Sequence, residues 1–129
     1  RLSIQQYEAL FLQDNPLKAY LHRGQDLKIK QAIQYILQNF ENENLSIKMI
    51  ADQVELSQNY FCTLFKQNTE MTVHDFILQI RIDKAKSLLK NTNLKLYEIS
   101  EQVGIPDANY LNIIFKKRDY SRFLNNQNN

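Results

Sequence analysis

The chain has 129 residues, a formal net charge of +2 and a pI of about 8.6, so any basic surface must come from where its cations lie rather than from a large excess of them. Two glycines and two prolines are too few for a turn-rich β fold, and a single cysteine excludes an internal disulfide and fits the reducing cytoplasm. No apolar run reaches the roughly 20 residues that a membrane-spanning helix needs, so we expect no membrane association.

The first 25 residues are predicted to be a linker or the end of an upstream domain. Apolar residues recur at helical spacing within residues 1–14, and Pro16 suits the first turn of a second short helix that ends at Gly24. Because the chain begins with Arg1 rather than Met, we expect it to be a fragment of a longer protein.

From residue 26 onwards, an apolar periodicity of 3.6 residues predicts an all-α fold of about seven helices. The first covers about Asp26–Asn39. Ser46, Ser57 and Thr72 each precede an apolar-periodic segment and are predicted to cap the next three helices, the last of which runs from Val73 to about Lys90. The predicted inward positions are Ile29, Ala32, Ile33, Ile36, Leu37, Phe40, Ile47, Ile50, Ala51, Val54, Phe61, Leu64, Phe65, Val73, Phe76, Ile77, Ile80, Ala85, Leu88, Leu89, Leu96, Ile99, Val103, Leu111, Ile114 and Phe115.

Part of the chain occurs twice. Residues 50–54 (IADQV) return 49 positions later as residues 99–103 (ISEQV), and residues 59–66 (NYFCTLFK) return 50 positions later as residues 109–116 (NYLNIIFK). The offset changes between the two blocks, and an inserted residue is tolerated best in a turn. Each copy is therefore predicted to be a helix, a short turn and a second helix.

These residues resemble the DNA-binding domain of the AraC/XylS family of bacterial transcription regulators, over about residues 27–117. The resemblance is carried by Phe65-Lys66, Phe76-Ile77, Arg81-Ile82, Ala85-Lys86, Leu88-Leu89, Ile99, Val103-Gly104, Tyr110 and Phe115-Lys116-Lys117. It is nearest to members that end two-component response regulators. It implies two helix–turn–helix subdomains joined by a long connecting helix within residues 26–124, double-stranded DNA as the ligand, and RNA polymerase as a candidate partner.

The second helix of each subdomain would read DNA, and we call these two the reading helices, at about Gln58–Asn68 and Ala108–Lys117. A connecting helix of about 18 residues, at ~1.5 Å per residue, is about 27 Å long. With the width of the flanking units, that length can place two reading helices ~34 Å apart, in successive major grooves.

Base contacts are assigned to the outward faces of the reading helices. By resemblance, the contact positions are Asn59, Cys62, Thr63, Ala108, Asn109, Asn112 and Ile113. Asn suits adenine, the Thr and Ala methyls suit the thymine methyl, and no Arg is present for guanine, so we expect an A·T-rich site. Alternatives remain for two kinds of residue: Asn59 and Asn109 as helix caps, and Cys62 as a redox sensor.

Phosphate contacts are expected from the starts of these helices and from scattered cations. The candidates are Lys48, Gln58, Lys66, Lys95, Lys116 and Lys117. For each lysine the alternative is a solvated surface charge. Arg81 occupies the family's Arg-Ile position and is expected to partner a carboxylate rather than to read DNA.

The resemblance has departures. Glu70 stands where the family usually has Gly, and a left-handed conformation there would cost about 1 kcal/mol relative to Gly. After Lys117 the usual Gly and Pro are missing, although Tyr120 and Phe123 could cover the second core, and residues 125–129 are predicted to be disordered. We therefore expect the first reading helix to supply most of the base specificity and the second mainly to anchor.

Two other function classes fit the sequence less well than DNA binding. An enzyme is not expected, because His22 and His74 are far apart, Cys62 has no evident base, and neither metal-ligand spacing nor a Gly-rich phosphate loop occurs. His74 and Asp75 form the nearest polar pair and are predicted to be surface. No cofactor or metal is predicted. The stronger alternative is a degenerate helix–turn–helix module that binds protein rather than DNA.

Overall fold

A computed structural model describes residues 23–117, and within them the chain forms six α-helices and no strand. The helices are α1 (Arg23–Asn39), α2 (Ile47–Gln53), α3 (Gln58–Thr69), α4 (Val73–Asn91), α5 (Leu96–Gln102) and α6 (Ala108–Lys117). The all-α prediction is confirmed, and α3, α4 and α6 agree with their predicted bounds to within one residue. The expectations for residues 1–22, for Tyr120 and Phe123, and for the tail lie outside the described residues.

One predicted boundary is wrong. Gly24 was expected to end a preceding helix, with the next beginning at Asp26, whereas α1 begins at Arg23 and includes Gly24. A glycine ends a helix when it takes a left-handed conformation after the last turn. Gly24 instead lies in the first turn, where the backbone N–H groups have no partner within the helix and a glycine is tolerated.

The backbone contacts divide the chain into two compact units. The N-terminal unit comprises residues 23–39 and 45–77, and the C-terminal unit comprises residues 40–44 and 78–117. The division falls inside α4, between Ile77 and Leu78, so this helix contributes to both cores.

Three phenylalanines centre the core of the N-terminal unit. The ring centroids of Phe61 and Phe65 are 5.7 Å apart, and Phe76 meets Phe65 edge to face at 5.3 Å, an arrangement that aromatic rings favour. Lys28 donates a hydrogen bond of 2.8 Å to the carbonyl of Val54, which ties α1 to the end of α2. The other buried apolar residues of this unit include Ile29, Ala32, Ile33, Ile36, Ile50, Ala51, Leu64, Val73 and Ile77.

The C-terminal unit has its own core, drawn from α4, α5 and α6. The buried residues that form one packed cluster in this core are Ile82, Ala85, Leu89, Ile99, Val103, Ile105, Leu111, Ile114 and Phe115. Ile82 and Ile105 were not predicted to be inward. Conversely, the predicted inward residues Leu37, Ile47, Leu88 and Leu96 are only partly buried, while the remaining predicted positions of both units are buried.

The three predicted helix caps are confirmed. The hydroxyls of Ser46, Ser57 and Thr72 accept hydrogen bonds of 3.2, 3.2 and 3.0 Å from the N–H groups of Met49, Tyr60 and Asp75. Each therefore satisfies one of the unpaired donors at a helix start, which defines where α2, α3 and α4 begin.

The two helix–turn–helix turns share one hydrogen-bond pattern. In the first turn, the N–H of Leu56 donates to the carbonyl of Ala51 at 3.0 Å. In the second turn, the N–H of Ile105 donates to the carbonyl of Ser100 at 2.9 Å, and both of these residues lie 49 positions after their counterparts in the first turn. The two copies of the sequence repeat therefore share the same backbone geometry in the turn. This geometry determines the direction in which each reading helix begins.

Arg81 holds the loop that follows α1 within the C-terminal unit. Its guanidinium donates hydrogen bonds of 2.8 Å to the carbonyl of Phe40 and 2.9 Å to that of Asn42. The expected carboxylate partner is therefore wrong, because carbonyls left without helix partners take its place and fit the planar donor fork. Burial lowers the pKa of the Arg81 guanidinium below its usual value.

Candidate nucleic-acid interface

Each reading helix, α3 or α6, has one buried and one exposed face. The residues that α3 buries as Phe61, Leu64 and Phe65 recur 50 positions later in α6 as Leu111, Ile114 and Phe115. Their spacing places them along one stripe, turned towards the core of their own unit. The predicted base-contact residues lie away from that stripe.

On α3, Asn59 and Thr63 are exposed and Cys62 is partly buried. The Thr63 hydroxyl donates a hydrogen bond of 3.0 Å to the backbone carbonyl of Asn59, one turn earlier. The thiol of Cys62 is free, without a disulfide. The first predicted contact set is therefore accessible, and the hydroxyl proton of Thr63 already has an acceptor within the helix.

An open cleft of about 650 Å³ lies beside the second half of α3. Its walls come from the starts of α2 and α4 as well as from α3 and are formed by Ile47, Cys62, Thr63, Lys66, Gln67, Thr72, Val73 and His74. It brings together the predicted residues Cys62, Thr63 and Lys66 but not Asn59. His74 and Asp75 are exposed, as predicted.

On α6, Asn109 and Ile113 are exposed, and Ala108 and Asn112 are partly buried. Ile113 retains 50% of its accessible surface, which is unusual for a branched apolar side chain. The outward face of α6 is therefore polar at Asn109 and Asn112 and apolar at Ile113.

The caps of the reading helices are Ser57 and Asp107. The N–H of Tyr60 donates to the Ser57 hydroxyl, and the N–H of Asn109 donates to a carboxylate oxygen of Asp107 at 2.9 Å. The alternative of Asn59 and Asn109 as caps is therefore wrong. The capping role of Asp107 was not predicted, although its alignment with Ser57 in the repeat is a signal for it.

The residues predicted to contact phosphate differ in the partners that they already have within the protein. Gln58, Lys66, Lys116 and Lys117 are exposed on the reading helices. Lys48 is exposed but forms an ion pair with Asp52, 2.8 Å from nitrogen to oxygen; because both side chains are largely solvated, this pair is weak and a phosphate can compete with it. Lys95 precedes α5, and its N–H donates to the Glu98 carboxylate at 2.9 Å.

Two exposed aromatic residues were not assigned to the site from the sequence. Tyr60 and Tyr110 occupy equivalent positions in α3 and α6, and they keep 46% and 44% of their surface exposed. The repeat aligns them at an offset of 50, which is the signal that could have found them. Each adds a phenolic hydroxyl to the exposed face of its helix.

Comparison with known proteins gives the family. Residues 50–118 match a family described as "Helix-turn-helix domain". The arabinose operon regulatory protein of Escherichia coli K12 is 32% identical over 97 residues, which cover 75% of this chain and 33% of that protein. The xylose operon regulatory protein of the same strain is 33% identical over 92 residues, which cover 71% and 23%. The chain belongs to the AraC/XylS family.

Two solved structures resemble this AraC/XylS domain. The C-terminal domain of the response regulator yesN from Fusobacterium nucleatum has a TM-score of 0.69 at 33% identity, over 73% of this chain and 94% of that one. The C-terminal domain of AraT, a response regulator from Geobacillus stearothermophilus, has a TM-score of 0.67 at 31% identity, over 70% and 74%. The predicted likeness to domains that end response regulators is confirmed.

The AraC/XylS assignment makes the chain a helix–turn–helix domain of DNA-binding transcription regulators. It spans between 23% and 33% of the length of the two curated relatives described above. In the part of the chain that the structure describes, no helix is long and apolar enough to cross a membrane.

Proposed function

We propose that this domain binds double-stranded DNA sequence-specifically, with α3 and α6 entering two successive major grooves on one face of the duplex. The observation that carries the proposal is the division of each reading helix into a buried apolar stripe and an exposed face. A helix anchored in this way by its own core can offer its other face to base edges.

The length of α4 supports two reading helices in one polypeptide. Its 19 residues, at ~1.5 Å per residue, make a helix of about 28 Å. Successive major grooves on one face of a duplex are ~34 Å apart. We propose that a connecting helix of this length allows the two reading helices to reach successive grooves.

We assign base readout to the exposed faces. In this proposal Asn59 and Asn109 bind adenine through its N6 and N7 atoms, the pairing that an amide side chain fits. The other base-contact residues are Cys62, Thr63, Ala108, Asn112 and Ile113. None of these is arginine, the usual partner of guanine, which supports an A·T-rich site.

Phosphate contacts then set the position of the domain on the duplex. We assign them to Gln58, Lys66, Lys95, Lys116 and Lys117, and to Lys48 once a phosphate displaces Asp52. The hydroxyls of Tyr60 and Tyr110 are further candidates, since tyrosine is among the side chains that donate to phosphate oxygens.

The larger protein is proposed to be a cytoplasmic regulator with an upstream regulatory domain and with RNA polymerase as a partner. The regulatory role and the upstream domain are supported by the relatives, which are operon regulatory proteins several times longer than the matched region, and by neighbours that are C-terminal domains of response regulators.

The decisive experiment is selection of bound duplexes from a random pool, followed by mobility shift at two salt concentrations with the selected duplex and a scrambled one. We expect tighter binding of the selected duplex and a steep loss of affinity with salt, because bound phosphates release counterions. No enrichment and no salt-dependent shift would contradict the proposal and favour the protein-binding alternative.

A further inference from the structure

Thr63 and Ile113 occupy the same position of the two reading helices, 50 residues apart, and both side chains are exposed. Both are branched at Cβ, so each carries a methyl group directly on that carbon. In a helix, branching restricts rotation about χ1 to one dominant rotamer for Ile and two for Thr. The methyl groups are thus held in few orientations before any ligand arrives.

Neither side chain is suited to donate a hydrogen bond to a base. The hydroxyl proton of Thr63 is directed at the carbonyl of Asn59, at 3.0 Å. Ile113 has no polar atom and keeps 50% of its surface exposed. What the two positions share towards a ligand is therefore an apolar methyl surface.

We infer that Thr63 and Ile113 each recognise the C5-methyl group of a thymine, at equivalent positions of the two half-sites. The inference rests on the proposed DNA binding. In the major groove only an A·T pair presents such a methyl, and side-chain methyls contact it favourably. Beside Thr63, the cleft wall contributed by Ile47 and Cys62 extends the apolar surroundings of that contact.

The neighbours of Ile113 favour a base over a protein partner. The other residues on the exposed side of α6 include Asn109, Asn112, Tyr110 and Lys116, and each of them carries a polar group. Ile113 is therefore one aliphatic side chain among neighbours with polar groups, which is not the contiguous apolar patch that marks a protein-binding surface. The second half-site is then read at one position through van der Waals contact, which agrees with its predicted lower specificity.

The test removes one methyl group at a time from the DNA. In the duplex obtained by selection, each thymine is replaced singly by deoxyuridine, which keeps every hydrogen-bonding group and lacks only the methyl. We expect one thymine in each half-site at which the dissociation constant rises about fourfold, the equivalent of ~0.8 kcal/mol for one buried methyl-sized group. Where cytosine replaces that thymine, 5-methylcytosine should bind more tightly than cytosine.

Matched variants assign each methyl contact to its side chain. The relevant ratio is that of the dissociation constants of the uracil-containing and thymine-containing duplexes. Thr63→Ser keeps the hydroxyl and loses the methyl, so it should abolish the ratio, which means bring it to one, in the first half-site only. Thr63→Val keeps a methyl and loses the hydroxyl, so it should retain that ratio. Ile113→Ser, the change that matches Thr63→Ser, removes the methyl-bearing branches and should abolish the ratio in the second half-site only. Leu27→Ala, which removes another exposed apolar side chain outside the reading helices, should leave both ratios intact.

Two outcomes would overturn the inference while leaving DNA binding established. One is that the protein binds the selected duplex specifically, but no replacement of a thymine by deoxyuridine changes the dissociation constant. The other is a uracil effect that Thr63→Ser retains and Thr63→Val abolishes, since the hydroxyl would then do the reading. Absence of salt-dependent binding to any selected duplex would instead contradict the proposed function itself, so the two failures are distinguishable.

Discussion

A Cβ atom placed on Gly104 would lie 3.0 Å from Nε of Arg81, and it would also lie 2.7 Å from the carbonyl oxygen of Phe40, which Arg81 binds. The equivalent residue of the first turn is Glu55, which has a similar left-handed backbone, with φ of 60° against 83° at Gly104. A side chain is therefore tolerated in the first turn. The second requires glycine because the loop held by Arg81 passes too close.

Replacing Gly104 with Ala should lower the free energy of unfolding by about 2 kcal/mol or more. Left-handed backbone costs a non-glycine residue roughly 1–2 kcal/mol, and the contact with Phe40 displaces a hydrogen-bonded loop as well. Urea denaturation measures the change. Glu55→Ala is the matched control and should change stability by about 0.5 kcal/mol or less, since it keeps a Cβ at a similar φ. A loss in Gly104→Ala of only about 1 kcal/mol would show that the left-handed backbone alone accounts for it and that the contact with Phe40 contributes nothing.

Replacing Arg81 with Lys should destabilise the protein by about 1.5–3 kcal/mol. An ammonium cannot reproduce the planar fork that reaches the carbonyls of Phe40 and Asn42 together, and hydrogen bonds from a charged donor are worth about 1.5–3 kcal/mol. Thermal or urea unfolding reports the loss. Lys90→Met removes an exposed cation from the same helix and should have little effect. Wild-type stability in Arg81→Lys would show that the two hydrogen bonds contribute nothing.

Replacing Glu70 with Gly should stabilise the protein by about 1 kcal/mol. Glu70 follows α3 in a left-handed conformation, with φ of 62° and ψ of 15°, which confirms the strain expected at this position. In a domain of this size such a gain raises Tm by about 4–8 °C. Glu70→Ala keeps a Cβ in the same conformation and should show no comparable rise, and the reverse order of the two variants would contradict the explanation.

Replacing Asn59 with Ala should weaken binding to a selected duplex far more than binding to a random one. The loss of a base contact costs on the order of 1–3 kcal/mol of discrimination, and the exposed position of Asn59 on α3 makes it available for such a contact. Competition mobility shift measures the ratio. Asn93→Ala, an exposed asparagine between α4 and α5, is the control. If both duplexes lost affinity equally, Asn59 would contact only the backbone.

Removing the Lys116 and Lys117 charges together should lower affinity almost uniformly across sequences. Both lie exposed in the last turn of α6, and cations attract the phosphates of any duplex alike. The slope of log K against log salt should become shallower by up to about 2. The Lys84→Ala and Lys90→Ala pair removes the same charge from α4 for comparison. A change confined to one sequence would mean that the lysines read bases.

Local sequence features were sufficient to predict most helices and both turns of this protein. Periodicity, the capping residues Ser46, Ser57 and Thr72, and the repeat with its shifted offset predicted α2, α3, α4 and both turns, and the structure confirms them. Periodicity and capping depend on residues within about one helical turn of each other, and the repeat is found by aligning two segments of the chain, so none of them requires a known tertiary contact. The exposed positions of Asn59, Thr63, Asn109 and Ile113 followed by subtracting the buried stripe, although their contacts with DNA stay predictions.

Contacts between distant parts of the chain could not be predicted from the sequence and are seen only in the folded protein. The partners of Arg81 are 41 and 39 residues away, and no local pattern distinguishes a carbonyl there from a carboxylate. The burial of Ile105, in a turn, and the need for glycine at position 104 follow from which segments the C-terminal unit packs together. The periodicity of apolar residues along the chain predicts which way a side chain points. Which atom that side chain contacts depends on where the fold places the rest of the chain.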